Sequence, residues 1–305
     1  MNRTGYILKH AGKEKTGIEI GPSYNPLCPK RDGWKVYTVD HETREGLVEK
    51  FRAYKAADPE HHRFSLDTIE EVDFVWREGD IASLLKTGGV DRVDFIVASH
   101  VIEHMPCLLT FLQSLEELIS PEGVISLVIP DKRREFDFLK PLSSTGDVIE
   151  AYYNGRTRHT ARTAYLACFY ECLLDSEPLW DRAPDISRIS FKHDPERARE
   201  MFMGHGPGET SAYRDFHAWF FTPSSFELVM LELGYLGYTN LRVFEKAGPE
   251  GCEFYVHLKR GTSEYASGQL QRERLELVRR VHAELGEQPK KKVLRRIRDL
   301  FGRAG

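Results

Sequence analysis

Between residues 16 and 130 the chain repeats one pattern: a short apolar run, then a longer stretch with apolar residues three and four apart. That alternation constrains the fold more than any other feature. Strands that alternate with helices are joined by right-handed crossovers and pair in parallel. The runs "TGIEIG" from residue 16, "WKVYTVD" at 34–40, "VDFVWREGD" at 72–80, "VDFIVASH" at 93–100 and "GVISLVIP" at 123–130 read as five strands. The fourth is apolar enough to be buried on both faces. Before the fifth, "CLLTFLQSLEELISPEG" carries a helical stripe that ends in Pro-Glu-Gly.

Residues 131–215 break the rhythm. They are rich in Arg, His, Tyr and Asp, with helical stretches such as "TAYLACFYECLL", and read as an insertion over the carboxyl edge of the sheet. Regularity returns with a helix in "SSFELVMLELGYLG" and strands in "TNLRVFEKA" and "CEFYVHLKR". The Gly-Pro-Glu-Gly link between those strands fits a hairpin, which makes the last strand antiparallel. The expected fold is α/β: a doubly wound, mostly parallel seven-stranded sheet with an antiparallel last strand and a helical insertion after strand five. Residues 1–261 form the main domain, and 262–305 a charged helical tail.

Composition excludes several classes. With 41% hydrophobic and 30% charged residues the chain is an ordinary globular protein rather than a disordered one. A net charge of −4 gives no global reason to expect nucleic acid. The five cysteines form no CxxC pair and no zinc spacing, so they read as reduced thiols of a cytosolic protein. The first residues lack the apolar segment of a signal peptide, and no apolar run is long enough to span a membrane.

Ligands of open parallel sheets sit beyond the carboxyl ends of the strands, so the residues just after each strand carry the chemistry. After strand one come Gly21, Pro22 and Ser23, in "GIEIGPSYNPL". A pyrophosphate turn needs two further glycines, so NAD, FAD and ATP fit poorly. Asp40 follows strand two, where an ionised carboxylate suits ribose hydroxyls; as a bland alternative it is an N-cap for "HETREGLVEKF". Asp80 follows strand three and suits an adenine amino group with Ile81 against the ring, or again an N-cap.

With "SHVIEHMP" after strand four, the constellation resembles the class I S-adenosylmethionine-dependent methyltransferases over residues 16–130 and the last two strands. Glu19-Ile20-Gly21 matches that family's first motif, while Pro22 and Tyr24 depart from its glycine-rich pattern. The family's acids after strands two and three fall on Asp40 and Asp80. The resemblance implies a Rossmann-like methyltransferase fold with S-adenosylmethionine as cofactor. It implies cofactor contacts from Glu19, Gly21, Pro22, Ser23, Asp40, His41, Gly79, Asp80, Ile81, Ser99 and His100. That cofactor has no phosphates, so one close-approach glycine can suffice. More narrowly, "IPDKRREFDFLKPLSSTGDVI" and "DFHAWFFTPSSFELVM" resemble a bacterial subgroup associated with surface-polysaccharide assembly. It implies O-methylation of a sugar hydroxyl of a surface glycan or its precursor. The alternatives are methylation of a small metabolite, or a non-catalytic relative of the fold in a glycan-assembly complex. No (Asn/Asp)-Pro-Pro-aromatic motif follows strand four, which disfavours nucleic acid as substrate.

On the substrate side, Asp131, Lys132 and Arg133 follow strand five and read as acceptor contacts, together with Tyr213. The bland reading of the Lys-Arg-Arg run is a solvated turn. His217 is a candidate general base, with His104 and Asp137 as competitors, because a neutral imidazole takes a proton near pH 7. No HxxxH or paired-carboxylate spacing singles out a metal site. The stretch "HGPGETSAYRDFH" reads as a lid or an ordinary surface loop. Residues 288–305 form a basic amphipathic pattern suited to an anionic membrane surface, which would place the cytoplasmic protein at the membrane's inner face, or to docking on the protein itself.

Overall fold

A computed structural model describes residues 2–57, 64–181, 184–205, 214–262 and 264–286. Its centre is a seven-stranded sheet ordered β3-β2-β1-β4-β5-β10-β9. The strands are β1 (Thr16–Ile20), β2 (Lys35–Asp40), β3 (Phe74–Val75), β4 (Val93–Ser99), β5 (Ile119–Pro130), β9 (Leu241–Glu250) and β10 (Glu253–Arg260). The first five pair in parallel, and β10 runs antiparallel to both β5 and β9. The chain winds outward from β1 to β3, then crosses to β4. The carboxyl ends of β1 and β4 therefore flank the topological switch point.

Hydrophobic burial explains this order. In β4, Phe95, Ile96, Val97 and Ala98 are all buried, so both faces of the strand are covered. Gly17 of β1 admits the Phe95 ring, since a Cβ there would stand 2.3 Å from it. Helix α4 (Leu108–Leu118) buries Leu108, Leu109, Phe111, Leu112, Leu115 and Leu118 on the sheet. Each such side chain contributes roughly 1.5–3 kcal/mol. Helix α8 (Pro223–Tyr235) starts at a reciprocal capping box between Thr222 and Ser225, with Pro223 in its first turn.

Three boundaries differ from expectation. The third strand is two residues long rather than 72–80: Trp76 Nε1 donates to the Gly79 carbonyl at 3.0 Å, and Gly79 adopts φ 81, which turns the chain away. The "ISPEG" segment after α4 is the start of β5, not a loop, and Gly123 fits there because a Cβ would lie 2.9 Å from the Asp94 carbonyl. The helix in "TAYLACFYECLL" is α6 (Ala161–Tyr170), and "CLL" forms β6 (Cys172–Leu174). That strand centres a small antiparallel sheet with β7 (Glu177–Pro178) and β8 (Ile189–Phe191). Both Cys172 N–H (3.0 Å) and its thiol reach the Phe136 carbonyl, which ties the small sheet to the turn after β5.

The rest of the 131–215 segment adds α5 (Thr145–Tyr153) and α7 (Pro195–His205). Between β1 and β4 lie α2 (Arg44–Ala57) and α3 (Ile81–Thr87), and α1 (Arg3–Ile7) precedes β1. Helix α9 (Gln269–Gly286) packs on α8, with Glu284 accepting from Ser224 Oγ at 2.7 Å. The basic stretch 288–305 and Tyr213 lie outside the described residues, as does most of the expected lid. Among the described residues no helix is long and apolar enough to cross a membrane.

Candidate active site

At the carboxyl edge of the sheet lies a cavity of about 690 Å³. Glu19, Gly21, Pro22, Ser23, Ser99, His100, His104 and His217 line it, so candidates from three separate stretches meet at one place.

The loop after β1 is built by carboxylates rather than glycines. Glu19 is buried, and its oxygens accept from Leu27 N–H at 2.6 Å and Cys28 N–H at 3.0 Å. Burial pushes its carboxyl up to about 7, although the Leu27 and Cys28 amides pull the other way. Asp40 accepts from Ser23 N–H at 2.9 Å and, on its other oxygen, from His41 N–H at 2.8 Å, with His41 Nδ1 at 2.6 Å. Gly21 has φ 67, and a Cβ there would meet Val101 Cγ2 at 2.9 Å. Only glycine satisfies both conditions.

Three other residues on the cavity hold a left-handed backbone without being glycine: Ser23 and His100, each at φ 54, and Asp181 at φ 70. His100 is fixed by its partners. Its Nε2 lies 2.8 Å from Glu253 Oε2, and its Nδ1 3.4 Å from Glu103. Burial alone would lower its pKa, but Glu103 and Glu253 outweigh that and raise it to about 9. Glu253 also takes Arg3 of α1 through Nε at 2.5 Å and Nη2 at 3.0 Å. Burial raises the Glu253 carboxyl, yet His100 and Arg3 bring it down to about 2.

On the opposite wall stands His217. Its segment is pinned on both sides: Ala218 N–H donates to the Glu103 carbonyl at 2.6 Å, and Trp219 Nε1 to the Met105 carbonyl at 2.6 Å. Trp219, Phe220 and Phe221 are buried behind it. His217 Nδ1 lies 2.6 Å from Asp137 Oδ2, while the other Asp137 oxygen ion-pairs with Lys140. Asp137 is fully buried. Burial raises its carboxyl, but His217 and then Lys140 hold it well below the usual carboxylate range. Glu135, buried beside it, is pushed well upward by burial and then by the Asp137 charge. Of this acid pair, the surroundings favour the charged form of Asp137 and the neutral form of Glu135. Asp137 is not among the residues that line the cavity and stands behind the His217 imidazole.

His104 forms a second pair, with Nδ1 at 2.7 Å from Asp215, and its ring stands perpendicular to His217 with centroids 4.7 Å apart. Glu103 lies beside these imidazoles, with Oε1 3.9 Å from His104 Nε2. It is buried, and neither carboxylate oxygen has a hydrogen-bond partner among the described residues.

Other candidates sit elsewhere. Asp80 caps α3, accepting from Ser83 N–H at 2.8 Å and Ser114 Oγ at 2.5 Å. Asp80, Gly79, Ile81, Asp40 and His41 do not line the cavity. The expected acceptor contacts of the Lys-Arg-Arg run need correction. Asp131 is buried under Arg133, whose Nε donates to it at 2.8 Å, and Arg133 Nη1 reaches the Glu284 carbonyl at 3.0 Å. Lys132 Nζ donates to the Phe138 carbonyl at 2.7 Å. All three fasten the insertion to its surroundings. Sequence reading missed Arg3, Phe136, Trp180 and Glu253, all lining the cavity. The Trp180 ring stacks on Phe136, with centroids 6.2 Å apart at 16°, and stays 47% exposed.

An imidazole whose one nitrogen is locked on a buried carboxylate can accept a proton at its other nitrogen from a hydroxyl in the cavity. Among solved structures, the chain is similar to the PH0226 protein of Pyrococcus horikoshii OT3. They share 14% identity over 84% of this chain and 86% of that one, with a TM-score of 0.40. It is similar too to the CcbJ methyltransferase of Streptomyces caelestis (13%, 85% and 94%, 0.40). A third is an S-adenosylmethionine-dependent methyltransferase of Clostridium acetobutylicum ATCC 824 (12%, 84% and 89%, 0.39). No curated protein matches this chain. The family model of a methyltransferase domain matches residues 3–236, well over half of the sequence, and the chain belongs to that family.

Proposed function

We propose that this protein is an S-adenosylmethionine-dependent O-methyltransferase whose general base is His217. The observation that carries the reading is the His217–Asp137 pair at the switch-point cavity. The residues present fit the cofactor. Gly21 leaves a cradle that a Cβ would fill, and the lining holds five carboxyls against a single guanidinium, which suits a sulfonium better than a phosphate. When bound, the cofactor supplies an electrophilic methyl group. Glu19 and Asp40 hold the loop that shapes this end of the cavity, and His100 and Ser99 close its other side. His217 Nε2 would take the proton of an acceptor hydroxyl held in the cavity, leaving that oxygen free for the methyl group the bound cofactor would supply. Asp137 fixes the tautomer that leaves Nε2 free and stabilises the imidazolium that forms.

For the acceptor, we favour a sugar hydroxyl of a bacterial surface glycan or its precursor, handled in the cytoplasm. The exposed face of Trp180, backed by Phe136, supports this choice because a flat aromatic face suits the apolar face of a pyranose. On this reading residues 1–261 are the catalytic unit and residues 288–305 its membrane-facing appendage. The test is methyl transfer from labelled S-adenosylmethionine to a panel of simple glycosides and small phenols, beside calorimetric titration of the cofactor. His217→Ala should lose transfer about a hundredfold or more and keep cofactor affinity. Absence of cofactor binding to the folded wild type would sink the enzyme reading, and transfer to phenols alone would sink the sugar reading.

A further inference from the structure

Farther along β9 and β10, beyond the residues that line the cavity, lies a second cluster that methyl transfer does not use. His257 of β10 and Glu245 of β9 are directly paired across the two strands. The segment after α1 crosses over them and brings His10 into place. His10 Nε2 lies 3.0 Å from Glu245 Oε2, and the His10 and His257 rings stand edge to face, with centroids 4.7 Å apart at 86°. One donor atom from each of the three residues falls within 4.8 Å of the other two.

The surroundings prepare these atoms for an electron-pair acceptor. His257 is completely buried, and its Nδ1 sits 2.9 Å from Ser126 Oγ on β5. With Ser126 accepting, the proton is on Nδ1 and Nε2 presents a bare lone pair. That Nε2 makes no well-formed hydrogen bond among the described residues; the Tyr6 carbonyl is the one acceptor that a proton on Nε2 would reach, in the tautomer where Ser126 donates instead. A buried polar atom left in this state is costly, so it asks for a partner. The Tyr6 hydroxyl, on a ring 4.9 Å from the His257 ring, is also buried and turns toward the Glu245 carboxylate. Lys9 Nζ holds the other Glu245 oxygen at 2.5 Å, leaving Oε2 toward His10. Ligands oriented by a hydroxyl and by an ion pair are the usual supporting shell of a metal centre.

We propose that His10, Glu245 and His257 bind a divalent transition metal, with zinc as the best match to two imidazoles and one carboxylate. The metal staples the N-terminal segment to β9 and β10. The same segment carries Arg3 to Glu253 on the cavity wall, so the staple also fixes one side of the active site. Sequence spacing hides this site because its ligands lie 235 and 247 residues apart.

The test uses full-length protein stripped by a chelator and titrated with Co²⁺, followed by visible d–d absorption and by melting temperature against Zn²⁺ concentration. One equivalent should bind, with the melting temperature rising with the logarithm of free Zn²⁺. His10→Ala, on a partly exposed turn, should weaken binding at least a hundredfold while the far-ultraviolet dichroism stays the same. Ser126→Ala should weaken it about tenfold through the lost support of His257. His217→Ala should leave this binding intact, which separates the site from the Glu103, His104 and His217 donors in the cavity. No binding at micromolar Co²⁺, undiminished binding by His10→Ala, or loss in His217→Ala instead would each overturn the proposal.

Discussion

Asp137→Asn isolates the role of the carboxylate behind His217. In the folded protein Asp137 accepts from His217 on one oxygen and pairs with Lys140 on the other. The Lys140 ammonium is itself buried and lies 5.0 Å above the Phe220 ring. Depriving a buried ion of its partner commonly costs about 3–5 kcal/mol. Here Glu135 changes the outcome. Its carboxyl is pushed up by burial first and by the Asp137 charge second, so removing that charge brings it back toward ionisation, and the Lys140 charge favours the same change. The expected stability loss is therefore about 1–3 kcal/mol, in the range of one buried hydrogen bond, and the variant folds.

Activity should suffer far more. An Asn amide donates to Nδ1 and drives the proton to Nε2, the nitrogen that must accept one. General-base catalysis supplies about 10²–10⁴-fold, equivalent to about 3–5 kcal/mol of barrier. The assay is turnover on an active glycoside beside calorimetry of the cofactor, in a cycle with His217→Ala. The double variant should lose no more than the worse single variant, because the two residues act as one unit. Losses that multiply, retention of a third of wild-type turnover, or a fall in cofactor affinity that parallels turnover would refute the assignment.

Three further outcomes follow from the geometry. Gly21→Ala should cost about 1–2 kcal/mol from the left-handed backbone alone, plus the Val101 overlap at 2.9 Å; Val101→Ala in addition should restore only part of the melting temperature. His100, raised to about 9, contributes stability that is complete below 6.5 and fades as pH rises through 9, while Glu253, lowered to about 2, contributes above 4.5 and fades as pH falls toward 2. The melting temperature should decline between pH 6.5 and 9, and Glu253→Gln should flatten that slope; an unchanged slope counts against the His100–Glu253 pair. Asp40→Ala should weaken cofactor binding and also lower the melting temperature, since it releases Ser23; a loss of affinity at unchanged melting temperature would instead mark a direct ribose contact.

The sheet was legible because its strands carry strong local signals. Phe95 to Ala98 are apolar without interruption, and Gly21 and His100 follow β1 and β4 directly. The small sheet was not legible, because strands of two and three residues are shorter than any periodicity window. Asp80 shows a deeper limit: the residue type that grips a ligand is also among the best N-caps, so position alone cannot separate the two uses. For Asp80 the structure shows the cap. His217 and Asp137 were each visible as candidates, but their pairing spans 80 residues and is made only by folding. Arg3, Trp180 and Glu253 gave no signal at all, since no motif surrounds them and three distant segments bring them to the cavity.

The loop after β1 explains both its own composition and its choice of ligand. A dinucleotide turn presents free backbone N–H groups to phosphate oxygens, and glycines let the phosphates approach. Here the corresponding N–H groups of Ser23, Leu27 and Cys28 already donate to the Asp40 and Glu19 carboxylates. A phosphate entering the loop would have to displace a carboxyl group and then sit beside it. At about 6 Å and an effective dielectric constant near 20, the repulsion is about 3 kcal/mol per ionised carboxylate, which Glu19, pushed up to about 7, reaches in full only above neutral pH. Because side-chain acids replace the ligand as hydrogen-bond acceptors, the loop needs close approach at Gly21 alone, and Pro22 and Pro26 are tolerated where a phosphate cradle would need amides. The missing glycines and the preference for a cation without phosphates are thus one property of the same two carboxylates.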